Sequence, residues 1–342
     1  MSPPVTVVTP EDVVARAQEL ADAVLFPRAL ETDAAPLAPR ATFDALAEAG
    51  LYGVVAPVEA GGLGADAATW FEITEIIAGG CLTTAFVWVQ HFGGLWAAIS
   101  TEDDALRQAW LRPLATGKTR GGIAIRALRP GPSPLRAIPA DVSTWVFDGP
   151  APFVTGWGLI DVLYTAARTD DGRIVWAMLD AVASDTLSAQ PLPLVAGNGS
   201  GTVELTFRRH AVPPERVFGV TPYAPPQPHD GGGRLNGALA LGVARRCCRL
   251  IGESPLDDQL IQARARLDDA DEMTMAAARA AACELAARAS SALIVSRGSS
   301  SILSTDHAQR LAREALFLLT FGTRPAIQSS LVELLTRGSR PA

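Results

Sequence analysis

The sequence predicts an α+β protein in three parts: an N-terminal helical domain, a middle antiparallel β-domain and a C-terminal helical bundle. Three observations carry this. Apolar residues recur at helical spacing behind capping motifs through the first third of the chain. The period then drops to two, with Val203, Leu205 and Phe207 alternating against Glu204, Thr206 and Arg208. Beyond a run rich in proline and glycine the helical period returns. The predicted boundaries are 1–118, 119–220, a linker at 221–233, and 234–342.

In the first part, Thr9-Pro10-Glu11-Asp12 is a capping box, followed by Val13, Ala17, Leu20 and Val24 and ended by Pro27. A second helix carries Phe43, Leu46 and Ala47 and stops at Gly50. Asp66 opens a third, with Trp70, Ile73 and Ile77 on one face, closed by Gly79-Gly80. Leu82–Ile99 is apolar nearly all round, as in a helix buried on every side. Thr101–Asp104 caps a helix that Pro113 closes. The predicted strands are Gly122–Ile125, Thr144–Phe147, Val162–Ala167, Ile174–Leu179 and the alternating run at 203–208. After the linker, Leu235–Ile251 is a helix and Ser254–Asp257 another capping box. An Ala/Arg-rich stretch then ends at Gly298, and helices follow from about Thr305 to Phe321 and from Pro325.

Composition excludes several functions. With 29 basic against 36 acidic residues and a net charge of -7, no nucleic-acid or anionic-membrane partner is expected. Lys118 is the only lysine, so Schiff-base chemistry would rest on one residue in a Gly/Thr-rich turn. His91, His210, His229 and His307 show no zinc-ligand spacing, so no metal is expected. Cys81, Cys247, Cys248 and Cys283 form no disulfide framework. Acidic Glu11 and Asp12 stand where a leader would be basic, and polar residues interrupt the longest apolar stretches. A reduced, cytoplasmic setting is expected.

Some motifs resolve to bland readings. Gly62-Leu63-Gly64-Ala65-Asp66-Ala67 matches a dinucleotide fingerprint, but helices flank it, so it reads as a helix–helix turn. Gly197–Gly201 lacks nucleophile-elbow spacing and reads as a hairpin turn. Asp306-His307 reads as the start of a helix. His91, beside Gln90 in the most apolar helix, is either a core histidine or the wall of a ligand cavity. Arg126, Arg129 and Arg136 cluster around prolines, as a solvated loop or a phosphate contact.

Several segments in order resemble the acyl-CoA dehydrogenase superfamily. Leu46–Pro57 with Gly61-Gly62-Leu63-Gly64 is similar to that family's L-x-x-x-G-L-x-G-x-x-x-P-x-x-x-G-G-x-G signature. Leu111–Gly117 resembles its entry to the β-domain, Pro152–Gly156 its W-I-T-N/G strand, and Thr202–Phe207 with Val212-Pro213 and Val217-Phe218-Gly219 its β-domain close. The resemblance implies FAD between the β-domain and the C-terminal helices. It further implies an acyl-thioester substrate oxidised by α-proton abstraction and β-hydride transfer, and a homodimer, homotetramer or mixed oligomer with a homologue. It assigns Thr155 beside the flavin ring, Phe153 where a stacking tryptophan is usual, and Thr323 as the threonine of Y-E-G-T.

The departures are as informative. Ala124–Ser133 replaces the A-x-T-E-P-x-x-G-S-D loop, with Arg126 where the flavin-contacting threonine stands. The pyrophosphate-gripping R-x-x-F-G segment is missing, and Arg249–Gln259 is a shortened replacement. Phe321 occupies the position of the catalytic glutamate and is not itself catalytic. The earlier position of that base in some relatives is Gly231-Gly232-Gly233. His91, on the helix that lines the family's acyl pocket, is the substitute base available to sequence reasoning. Two expectations follow: a flavin oxidoreductase with an atypical site and weak or partner-dependent FAD, or a redox-silent homologue acting as partner subunit or non-redox enzyme.

Overall fold

A computed structural model describes residues 9–141, 144–224 and 232–336. The first part holds α1 (Pro10–Leu20), α2 (Phe26–Ala34), α3 (Arg40–Glu48), α4 (Ala67–Gly80), α5 (Leu82–Ser100) and α6 (Asp104–Ala115). The Thr9 box caps α1 and Asp66 caps α4, as their side-chain chemistry dictates. Two expected boundaries are corrected. Pro27 does not end the first helix, because a wide turn at Ala21–Leu25 accommodates the missing proline N–H and leads into α2. Asp103 rather than Thr101 caps α6, and Pro113 lies inside its last turn. The segment before the glycine-rich turn forms a tight helical turn at Leu51–Gly53.

The middle part is one eight-stranded sheet of β1 (Gly121–Ala124), β2 (Arg136–Pro139), β3 (Trp145–Val154), β4 (Val162–Arg168), β5 (Arg173–Asp180), β6 (Leu187–Pro191), β7 (Val203–Val212) and β8 (Val217–Pro222). Its order is β6-β7-β3-β2-β4-β5-β8, with β1 beside β4. The expected all-antiparallel sheet is corrected to a mixed one, since β1 and β2 both run parallel to β4. Alternation reports which face of a strand is buried and carries no information about direction. Three strands went unanticipated: β2 between prolines, polar β6, and β8, whose Thr221 and Pro222 fall in the expected linker. Residues 225–231 of that linker lie outside the described residues.

The last part holds α7 (Gly232–Ile251), α8 (Pro255–Asp268), α9 (Met275–Arg297), α10 (His307–Leu318) and α11 (Pro325–Thr336). It joins the first part through a close crossing of α4 and α7. A β-carbon on Gly242 would lie 2.3 Å from the Glu75 carbonyl oxygen and 2.7 Å from the Ala78 side chain. Polar ties flank the crossing. Arg246 Nε donates to the Gly79 carbonyl (2.6 Å), Arg246 and Arg249 pair with Asp22, and Arg264 grips buried Glu75 (2.5 Å). Burial alone would raise the Asp22 pKa, but hydrogen bonds from Arg249, Arg246 and Gln18 hold it at about 2. The α5 helix runs between the layers, against α4 and α6 on one side and β1 on the other.

Gly242→Ala should therefore destabilise the protein although alanine is the better helix former by ~1 kcal/mol. Overpacking against backbone that cannot yield should outweigh that gain, at the upper end of ~1–3 kcal/mol. Urea unfolding of Gly242→Ala beside Gly232→Ala, where no atom lies within 4 Å of the added carbon, checks it. Equal midpoints for the two variants would refute the close crossing.

Candidate functional site

Two groups of residues lie where the β-domain meets the helices. The first is aromatic. Phe317 on α10 and Phe321 just beyond it stack at 5.4 Å, and Phe86 on α5 meets both edge-on at 5.0 and 4.8 Å. Spacings of four and seven residues put Phe321, Phe317 and Glu314 on one face of the α10 segment. Phe321 thus presents an apolar ring, half-buried and held in a three-ring cluster. It can neither accept nor hold a proton.

His91 points elsewhere. It follows Phe86 by five residues, about 140° around α5, and so faces β1 and Tyr52 rather than the ring cluster. The Gly121 N–H donates to His91 Nδ1 (3.0 Å), so the neutral ring must carry its proton on Nε2. That nitrogen has no acceptor in hydrogen-bonding geometry among the described residues. Burial pushes the His91 pKa down to about 3, against smaller upward contributions from the Leu114 and Tyr52 backbone. With its lone pair engaged, the imidazole pins β1 to α5 and has no free atom to take a substrate proton.

The second group borders β1. Thr155 is buried, and its hydroxyl joins Thr202 (3.1 Å) and through it Ser200 (2.8 Å) in a closed chain of hydroxyls. A β-carbon on Gly122 would lie 3.3 Å from the Thr155 carbonyl oxygen and 2.5 Å from Ile160 Cδ1, so glycine eases the close approach of β1 to this segment. Phe153, two residues before, is 70% exposed and has φ 58°, beside a register shift between Ala151 and Val154. A bulky residue in the left-handed region is strained and here turns an aromatic face to solvent. Thr323 is half-buried, its hydroxyl on the Thr320 carbonyl (2.9 Å).

At the other end of β1, four residues on and about 13 Å away at strand rise, Arg126 begins a tight turn. Arg168 holds that turn through the carbonyls of Ala127, Arg129 (3.0 Å) and Gly131 (2.7 Å), while stacked on Tyr223. Arg136 pairs with exposed Asp170. Arg126 and Arg129 are exposed and have no carboxylate partner among the described residues. Burial, then the charges of Arg126 and Arg324, lower the Arg129 pKa. These are unneutralised cations brought together.

Residues 9–118 match the family model for the acyl-CoA dehydrogenase N-terminal domain. The sheet and C-terminal helices described above complete that family's arrangement. Residues 9–118 belong to the acyl-CoA dehydrogenase N-terminal domain family, and the whole chain has the acyl-CoA dehydrogenase fold. It is 30% identical over 161 residues to cyclohex-1-ene-1-carbonyl-CoA dehydrogenase of Syntrophus aciditrophicus, covering 46% of this chain and 39% of that protein. It is 26% identical over 215 residues to the human mitochondrial short-chain specific acyl-CoA dehydrogenase, covering 59% and 51%. The chain thus spans about two-fifths to a half of the length of these curated relatives. Butyryl-CoA dehydrogenase from Megasphaera elsdenii superposes with a TM-score of 0.80 at 19% identity over 96% of this chain and 98% of that one.

Within this acyl-CoA dehydrogenase fold, sequence reasoning missed Glu314, Arg310 and Thr83. Glu314 is 1% exposed and Arg310 0%, and they pair at 2.5 Å. The signal was available, since Glu314 stands among Leu311, Ala315 and Leu318 on the apolar face of an amphipathic helix. No three histidine, cysteine or acidic side chains converge on a metal-sized space among the described residues, and no helix there is long and apolar enough to cross a membrane.

His91 gives a pH prediction. An unfolded histidine titrates near 6.5, whereas the folded ring stays neutral down to about 3. Below pH 6.5 the unfolded chain binds a proton that the folded chain does not. The contribution is therefore full above 6.5 and lost as pH falls toward 3, at up to ~1.4 kcal/mol per pH unit. His91→Gln should flatten the slope of unfolding free energy between pH 6 and 4, measured by urea titration. Identical slopes in the two proteins would show that the ring is solvated.

Proposed function

We propose that this protein is a flavin-dependent oxidoreductase acting on an acyl-thioester or a related small molecule, without a carboxylate at position 321. One observation carries the reading: two exposed guanidinium groups without a carboxylate partner among the described residues, Arg126 and Arg129, at one end of β1, with Thr155 and Phe153 at the other. That donor set fits FAD. Planar guanidinium forks suit phosphate oxygens, and an exposed aromatic face suits a flat heterocycle. Arg126 and Arg129 would hold the phosphates; Phe153, Thr155 and Thr323 would border the ring. When bound, the flavin supplies two-electron oxidation.

The chain's own residues limit the chemistry. Abstraction of a thioester α-proton needs a base within hydrogen-bond reach, typically worth ~10²–10⁴-fold. Phe321 cannot serve, and its ring stands where that base belongs by resemblance. Dehydrogenation of saturated acyl-CoAs is therefore slow in this reading. The packed rings of Phe86, Phe317 and Phe321 favour a second reading, a redox-silent homologue that serves as a partner subunit or carries out non-redox chemistry.

Titration with FAD, followed by quenching of flavin fluorescence, separates the two. Weak binding is expected, weakened a further tenfold or more by Arg126→Ala or Arg129→Ala, since hydrogen bonds to charged groups contribute ~1.5–3 kcal/mol. Absence of binding at 100 μM FAD would favour the silent homologue. Binding indifferent to both arginines would refute the assigned phosphate contacts.

In dye-reduction assays with short-, medium- and branched-chain acyl-CoAs, wild type should be near background and Phe321→Glu faster. Robust wild-type turnover would sink this account of position 321.

A further inference from the structure

Beneath the aromatic cluster lies a cavity of about 10 Å³, room for a single water-sized group. Leu82, Phe86, Ala196 and Phe317 make its apolar wall, and Thr83 and Glu314 its polar one. Glu314 Oε1 accepts from Arg310 Nη1 at 2.5 Å, whereas Oε2 has no partner among the described residues. Thr83 Oγ1 is equally buried and equally unmet. Burial raises the Glu314 pKa, opposed by the Arg310 charge. Buried polar atoms are nearly always satisfied, and two unmet ones on a single cavity mark a missing group.

We propose that this cavity is the far end of the substrate pocket and that it selects a substrate carrying a hydroxyl remote from its reacting carbon. The inference rests on the reading above, that the Phe321 end of the ring cluster faces the reacting end of a thioester. One hydroxyl oxygen meets both unmet atoms, donating its proton to Glu314 Oε2 and accepting from Thr83 Oγ1. An ammonium could satisfy only the carboxylate, whose charge Arg310 already balances, and would face apolar walls elsewhere. Phe86 and Phe317 belong to both the cavity and the ring cluster, and rotation of half-buried Phe317 is the route by which an acyl chain would reach the cavity from the Phe321 end. Seven residues of helix separate positions 314 and 321, about 10 Å, the reach of a medium-length acyl chain.

Calorimetric titration of the full chain with matched thioesters tests this: 6-hydroxyhexanoyl-CoA against heptanoyl-CoA, and 8-hydroxyoctanoyl-CoA against nonanoyl-CoA. The hydroxylated member of at least one pair should bind at least tenfold tighter, and that preference should fall below threefold in Glu314→Gln. Thr83→Val removes the second contact without touching the buried charge, so it serves if Glu314→Gln folds poorly. Equal binding within both pairs, or a preference that survives both substitutions, overturns the proposal while leaving the thioester reading in place; the cavity then holds only a water. If no member of either pair binds, the thioester reading fails and this inference falls with it.

Discussion

The meeting of α4 and α7 is the constraint from which the other features follow. At Gly79 and Gly242 the two helices touch backbone to backbone, which fixes their separation more rigidly than interlocked side chains could. Glu75, Asp22 and three arginines then fix the rotation of one helix on the other. Because α5 follows α4 after a single residue, and α9 and α10 pack on α7, this contact sets where Phe86 and Phe317 meet. The ring cluster is thus positioned in part by Gly242, far from it in sequence.

Within that frame the chain buries a charged pair close to the ring cluster. The acyl-CoA dehydrogenase fold here carries phenylalanine where resemblance expects a carboxylate, and a carboxylate two helical turns earlier on the same face. The Glu314–Arg310 pair is fully enclosed. Such pairs add little net stability against an apolar alternative, so their presence in a core points toward specificity rather than strength. Arg126 and Arg129 make the complementary case: guanidinium groups kept together without carboxylates, at an electrostatic penalty an anion would relieve.

Helices were legible in the sequence because caps and periodicity are local. Thr9, Asp66, Ser254 and Asp306 all cap helices as their side chains require. Strand direction was not legible, since pairing β1 with β4 depends on where α6 delivers the chain. β2 and β6 were hidden by flanking prolines and polar residues, and β8 by its proline-rich continuation. His91 illustrates the same limit within the site. Its presence on the buried helix could be read, but its 140° offset from Phe86 mattered only once α10 was seen to face Phe86. Glu314 was legible as an anomaly, and its partner Arg310 one turn away made it look like an ordinary surface pair.

The wide turn at Ala21–Leu25 has a genetic corollary. Two acidic anchors lie on either side of its midpoint: Asp22, tied to α7, and Asp33, tied through Arg313 to α10. Eleven residues of uninterrupted α-helix would aim both the same way; the wide turn supplies the phase difference between them. Loss of one codon within this turn would restore regular helix and keep that phase, whereas one added codon would swing everything after it by ~100°, parting Asp33 from Arg313. The wide turn thus tolerates the loss of a residue better than the gain of one.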